Sequence, residues 1–167
     1  MKDPTLPPSS IKECGDSQRL VQSAYLCDVA PKIALLTARA GLEGRINPSY
    51  ADVAKYEMPT VSGYTAGGLE LPDPVILPDD GRFKFSTGKA SWYAYPGKIP
   101  AWRYACIYFN GVLAQRVDPI LCWFYGDRTP QDIRLTLEEY DLEIHCPSTG
   151  WVSWSKTQPS RSAASCS

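Results

Sequence analysis

A single histidine, no C-x-x-C pair and no block of five like charges mark this 167-residue sequence, and each absence closes off a class of function. One imidazole leaves His145 as the sole anchor for a Ser-His-Asp or Cys-His site, with Cys122 or Cys146 as nucleophile. Cys146 is its immediate neighbour, and adjacent residues of a strand point to opposite faces, so it turns away; Cys122 lies in an apolar run and reads as buried. The same adjacency makes His145-Cys146 unsuited to gripping one tetrahedral zinc ion. The 17 basic and 18 acidic residues leave a net charge of −1, and without clustered Lys and Arg no nucleic acid is expected as a partner. The longest apolar stretches reach seven or eight residues, far short of the roughly 20 that a membrane-spanning helix needs, so no membrane partner is expected either. Met1-Lys2-Asp3-Pro4 is polar and no apolar segment follows it, which reads as a chain without a secretory signal, assembled in a cytosol. The glycines between Gly63 and Gly68 form no G-x-G-x-x-G and carry no Walker lysine, so they read as turn material and no cofactor is expected.

What is present points to a packed β protein. Trp102–Phe109 and Pro119–Tyr125 are nearly unbroken apolar runs nine residues apart, as expected of neighbouring central strands covered on both faces. Asn110-Gly111 and Asp118-Pro119 favour a hairpin or a short crossing loop between them. Ile33 to Leu36 reads as another buried strand. The prolines at 72, 74 and 78 confine Leu69 to Leu77 to an edge or bulged strand. Asp79-Asp80-Gly81 is a turn; Phe83, Phe85 and Thr87 then alternate with Arg82, Lys84 and Ser86, the pattern of a strand with one wet face. Ser91 to Tyr95, Ile133 to Leu137, Tyr140 to Ile144 and Trp151 to Trp154 complete the strands. Two short helices precede most of them. One is capped by Asp16 or Ser17, with Leu20, Val21, Ala24 and Tyr25 on one face; the other starts at Asn47-Pro48 and ends near Tyr56 to Met58. The expected fold is mainly β, an antiparallel β-sandwich or flattened barrel over residues 15–154.

Flanking that domain, residues 1–14 form a proline-rich arm and residues 155–167 a polar tail. Chain of this composition takes a fixed path only against a surface, and a neighbouring subunit is the natural supplier. Pro4, Leu6, Pro7, Pro8, Pro159 and Arg161 are therefore the candidate partner-binding residues. The six cysteines read as free thiols, with Cys106 and Cys122 packed as small hydrophobes. Asp79-Asp80 and Glu138-Glu139 are adjacent pairs, which do not face each other across a cleft as glycosidase carboxylates must, so they read as solvated turns. Five Trp and ten Tyr leave two readings: core and interface packing, or an exposed platform of Trp92, Tyr93, Tyr95, Trp151 and Trp154 on which sugar rings stack.

The succession of a short helix, Pro31-Lys32-Ile33-Ala34-Leu35-Leu36, Gly63-Tyr64-Thr65-Ala66-Gly67-Gly68, Ala90-Ser91-Trp92, Arg103-Tyr104-Ala105-Cys106-Ile107-Tyr108, Asp118-Pro119-Ile120-Leu121-Cys122-Trp123-Phe124 and a closing Trp strand resembles small β-sandwich structural proteins of tailed bacteriophage virions. The likeness spans about residues 20 to 154, and it is to head decoration or cement proteins with relatives at the neck and tail. It implies a non-enzymatic building block of the virion, put together in the host cytoplasm, that binds a major capsid protein or other virion proteins and itself as a homo-oligomer. A neck, tail or fibre protein is the alternative within that class. A carbohydrate- or receptor-binding module using exposed aromatics is the alternative outside it. The proline-rich arm, the Asp127-to-Glu139 connection and the polar tail depart from the family pattern.

Overall fold

The computed structural model describes residues 5–6, 11–60, 63–93, 102–126 and 142–156. At its centre lies a five-stranded sheet in the order β2-β11-β8-β3-β4, built from β2 (Lys12–Glu13), β3 (Pro31–Leu36), β4 (Leu69–Glu70), β8 (Tyr104–Phe109) and β11 (Ile120–Tyr125). All its pairings are antiparallel. The two apolar runs thus become adjacent strands, and both faces of the sheet are covered, because strands without a polar phase have no side to give to water. Along β8, Ala105, Ile107 and Phe109 enter one core, while Tyr104, Cys106 and Tyr108 enter the other. β3 divides the same way, Ile33 and Leu35 against Ala34 and Leu36. In β11 the register shifts between Ile120 and Cys122. This bulge puts Leu121 and Cys122 on the same face, followed by Trp123 on the other and Phe124 back on the first.

The first face is packed by regular elements. Helix α1 (Ser17–Cys27) buries Leu20, Val21 and Ala24 on it. Beside the helix stands a three-stranded sheet, β13-β6-β5, from β5 (Val75–Asp79), β6 (Arg82–Ser86) and β13 (Val152–Ser155). β7 (Ala90–Trp92) and β12 (Leu142–Ile144) pair antiparallel, and β1 (Thr5–Leu6) adds to β12 in parallel. The fold is mainly β, antiparallel apart from that last pairing, and sandwich-like; sheet closure of the barrel kind is not seen among the described residues. β4 and β5 are edge strands, as the prolines require. Asp80 and Gly81 both take positive φ, 45° and 81°, in the two-residue turn between β5 and β6, the geometry that matches the twist of a hairpin.

The second face is covered by chain with little regular structure. Residues 37–58 run over it through short 3-10 turns at Ala38–Ala40, Leu42–Gly44 and Ala54–Tyr56 and a one-turn helix, α2 (Tyr50–Val53). Gly68 anchors the next segment: its φ is 80°, and a Cβ there would lie 2.0 Å from the Ile33 carbonyl oxygen, so only glycine lets the loop approach β3 this closely.

Several local expectations are corrected. Tyr25 belongs to α1 but stands 75% exposed, off the buried stripe. Asp16 holds the N-cap position in a left-handed conformation and makes no side-chain cap bond. Ser49, not Asn47, caps α2, its hydroxyl accepting from the Asp52 N–H. The hairpin connection expected between β8 and β11 is formed, and its loop folds further into a small hairpin of its own, β9 (Val112–Leu113) and β10 (Arg116–Val117). Cys27 is disulfide-bonded, whereas Cys14, Cys106, Cys122 and Cys146 are free thiols. The strand expected at Ile133 to Leu137 lies outside the described residues.

Candidate functional site

The aromatic platform does not form from tryptophan. Trp92, Trp151 and Trp154 are 3%, 1% and 5% exposed and all three belong to the first core. Trp151 stacks on Phe124 with ring centroids 6.0 Å apart, and its indole N–H donates to the Thr87 hydroxyl at 2.8 Å. Trp102 and Trp123 are buried too. Of the five platform residues, Tyr93 alone is placed on the surface, and Tyr95 lies outside the described residues. Among the partner-binding candidates, Pro4, Pro7, Pro8, Pro159 and Arg161 also lie outside them; Leu6 is in β1, opposite Ile144 of the same chain.

His145 is exposed, its Nε2 3.1 Å from the Glu143 carboxylate, which also pairs with Lys89 at 2.7 Å. All four free thiols are pushed up by burial, Cys14 to about 11, which leaves little thiolate near neutral pH. Among the described residues no three His, Cys, Asp or Glu side chains converge as a metal site would require. No helix among them is long and apolar enough to cross a membrane.

Two carboxylates that the sequence did not single out organise the second face. Glu57 accepts from the hydroxyls of Tyr50 and Tyr64, the latter at 2.5 Å, and from the Gly67 N–H at 2.8 Å. The Tyr64 oxygen in turn accepts from the Leu35 N–H at 2.9 Å, and Tyr108 donates to the Gly67 carbonyl at 2.6 Å. The glycine-rich loop directs both its Gly67 N–H and its Gly67 carbonyl to partners within the chain, Glu57 and Tyr108. Glu43 accepts from Tyr104 and Tyr125, each at 2.5 Å, with the Arg103 guanidinium 3.8 Å away and stacked over both rings. Partial burial pushes the Glu43 carboxyl up, but the two hydroxyls, its own backbone and Arg103 outweigh it and hold it below its usual range. These are clamps that tie the 37–58 cover to the sheet, with their acceptor oxygens already engaged.

The surface feature best built for contact is the hairpin between the two central strands. Val112 and Val117 face each other across β9 and β10 and are 47% and 56% exposed, while Leu113 on the other side is fully buried. The backbone is held in an unusual shape: Ala114 and Gln115 occupy the left-handed region at φ 51° and 64°, and Asp118 at 45°. Such positions cost about 1–3 kcal/mol each in residues that are not glycine, and they cluster where a fixed loop shape serves a function. Asp118 closes the loop through its carboxylate to the Gly111 N–H at 2.8 Å. Arg116 ties it to Gly15 at 3.2 Å and to Pro48 at 3.5 Å through their carbonyls. Next to Asn47 and Pro48, Ile46 is 91% exposed. Three large aliphatic side chains are thus presented to solvent on tightly fixed loops, an arrangement suited to protein contact. Asn110-Gly111 and Asp118-Pro119 marked a turn here in the sequence; the left-handed Ala114-Gln115 pair had no signal, since neither residue favours it. Compared with known proteins, the chain matches no family model, no curated protein and no solved structure.

Proposed function

We propose that this chain is a non-enzymatic building block that works by protein–protein contact, and specifically a structural protein of a bacteriophage virion, of the head-decoration kind. The observation that carries the reading is the rigid hairpin at 112–117, which with Ile46 offers Val112 and Val117 to a neighbour from loops whose shape is already fixed. A preformed apolar contact loses little entropy on association. The order of sequence elements supplies the virion part of the proposal. The two alternatives differ in their support: a neck or tail position uses the same contact surface, whereas glycan stacking loses Trp92, Trp151 and Trp154 to the core.

The test is imaging of particles that carry the chain. The expected result is stoichiometric density for the sandwich on the particle, with the 112–117 hairpin against an adjacent subunit, and loss of occupancy in Val117→Asp with the circular dichroism spectrum unchanged. Purified particles whose proteome lacks the chain would overturn the reading.

A further inference from the structure

We propose that the Arg45-Ile46 turn of one copy docks in the groove at the C-terminal end of α1 in a second copy, a step that rests on reading the chain as a contact protein and names one of its partners. The groove encloses about 200 Å³ between α1 and the start of β5. Buried Ala24, Phe85 and Phe109 form its apolar back, and Tyr25, Asp28 and Val75 stand exposed at its mouth. Among the described residues Asp28 is the only charged side chain lining it, and it makes no ion pair. It also holds the C-cap of a helix whose last turn carries no basic residue. The negative end of the helix dipole and the carboxylate therefore add, and the mouth attracts a cation. Tyr25, exposed beside it, supplies a ring on which a guanidinium stacks.

The matching surface lies at the other end of the same helix. Ile46 is the most exposed large apolar side chain among the described residues. Arg45 is exposed as well; its Nε donates to the Ala40 carbonyl at 2.7 Å, and it pairs with no carboxylate among the described residues. Glu43, two residues earlier, is already taken up by Tyr104 and Tyr125. Arg45 and Ile46 line the same hollow, so a partner meets an aliphatic side chain and a guanidinium together. That pair complements the groove: Ile46 fits its apolar back, and Arg45 meets Asp28 and Tyr25 at the mouth. The turn adjoins the start of α1, where a Cβ at Gly15 would lie 2.7 Å from the Asn47 Oδ1. Arg116 fixes it there through the Gly15 and Pro48 carbonyls. The 11 residues of α1 span about 16 Å at roughly 1.5 Å per residue, so a copy cannot fill its own groove and a second copy has to.

The test is sedimentation velocity on the purified full-length chain over a concentration series. The chain should self-associate, and Ile46→Asp and Asp28→Arg should each weaken that association by about tenfold or more with the circular dichroism spectrum unchanged. Combining Asp28→Arg with Arg45→Asp should restore it, because the exchanged charges meet again across the contact. A monomer at every concentration, an association that Ile46→Asp leaves unchanged, or an exchanged pair no better than Asp28→Arg alone overturns the docking. The contact and the virion reading fail separately. A chain that is monomeric in solution yet stoichiometric on particles overturns the contact alone, whereas one that self-associates through these residues and is absent from particles overturns the virion reading alone.

Discussion

The two faces of the central sheet are held by different physics. On the first, Ile107, Phe109 and Phe124 meet a helix and strands that bring Leu20, Phe85 and Trp151, and the contact is apolar almost throughout. On the second, Tyr104 and Tyr108 of the same strand β8 point into a cover of short turns, and their hydroxyls bind Glu43 and the Gly67 carbonyl. Regular elements satisfy their own backbone groups and can lie on a dry surface. Irregular chain such as residues 37–58 needs local anchors, and tyrosine supplies both an apolar ring and a polar tip. Tyr50 and Tyr108 combine the two, stacked at 4.0 Å while the Tyr50 hydroxyl reaches Glu57. The difference implies that the first face sets the global stability, while the second is a region that can loosen by itself.

The strongest way to break this comparison is to empty the first face. Phe109 is fully buried, close to Phe85 at 6.3 Å between centroids. Phe109→Ala should cost about 3–5 kcal/mol, seen as one cooperative loss in urea titrations followed by fluorescence and by circular dichroism. If only the amides of residues 37–58 lost protection, the first face would not be the global core.

A smaller effect is expected on the second face. Glu57→Gln keeps the shape of the side chain but replaces a charged acceptor of three donors with a neutral one. The loss should be about 2 kcal/mol, from charge-assisted hydrogen bonds worth about 1.5–3 kcal/mol. Hydrogen exchange should quicken over residues 37–58 and at Gly67 before β8 is affected. Uniform quickening across both faces would show that the cover does not open separately.

The sequence made the first face far more legible than the second. Runs such as Ile33–Leu36 and Ile120–Tyr125 carry their burial in composition, and the edge position of β5 follows from proline chemistry, whatever the partner strands. The β11 bulge was not legible, since an unbroken apolar run conceals a change of phase. Nor were the clamps: Glu43 and Glu57 are single acids among many, and their significance lies in tyrosines up to 82 residues away in sequence. The tryptophans had two readings because apolar and amphipathic uses draw on the same residue; packing decided it, Trp154 sharing the inward phase of β13 with Val152, and Trp151, just ahead of the strand, stacking on Phe124. The contact hairpin was legible as a turn but not as a surface, because exposure of Val112 and Val117 depends on which side of a two-residue strand meets α1 and the core.

The gentlest probe of the second face is pH, since the Glu43 clamp is built from titratable groups. Glu43 is held below its ordinary range in the fold, so its contribution to stability is complete above the unfolded carboxylate value and is lost as pH falls through the lower folded one. Tyr104, pushed up to about 12 by burial and by its bond to Glu43, acts at the other limit. Its contribution is complete below the ordinary tyrosine value near 10 and is lost as pH rises from there to about 12. Both losses fall on one clamp, and Glu43 is about half exposed, so the effect is a modest narrowing of the stable range at each end. Glu43→Gln should flatten the acid limb of a plot of unfolding midpoint against pH, while the tyrosinate absorbance of Tyr104 shifts back towards the ordinary range. An acid limb unchanged in Glu43→Gln would place the acid-sensitive group outside this clamp.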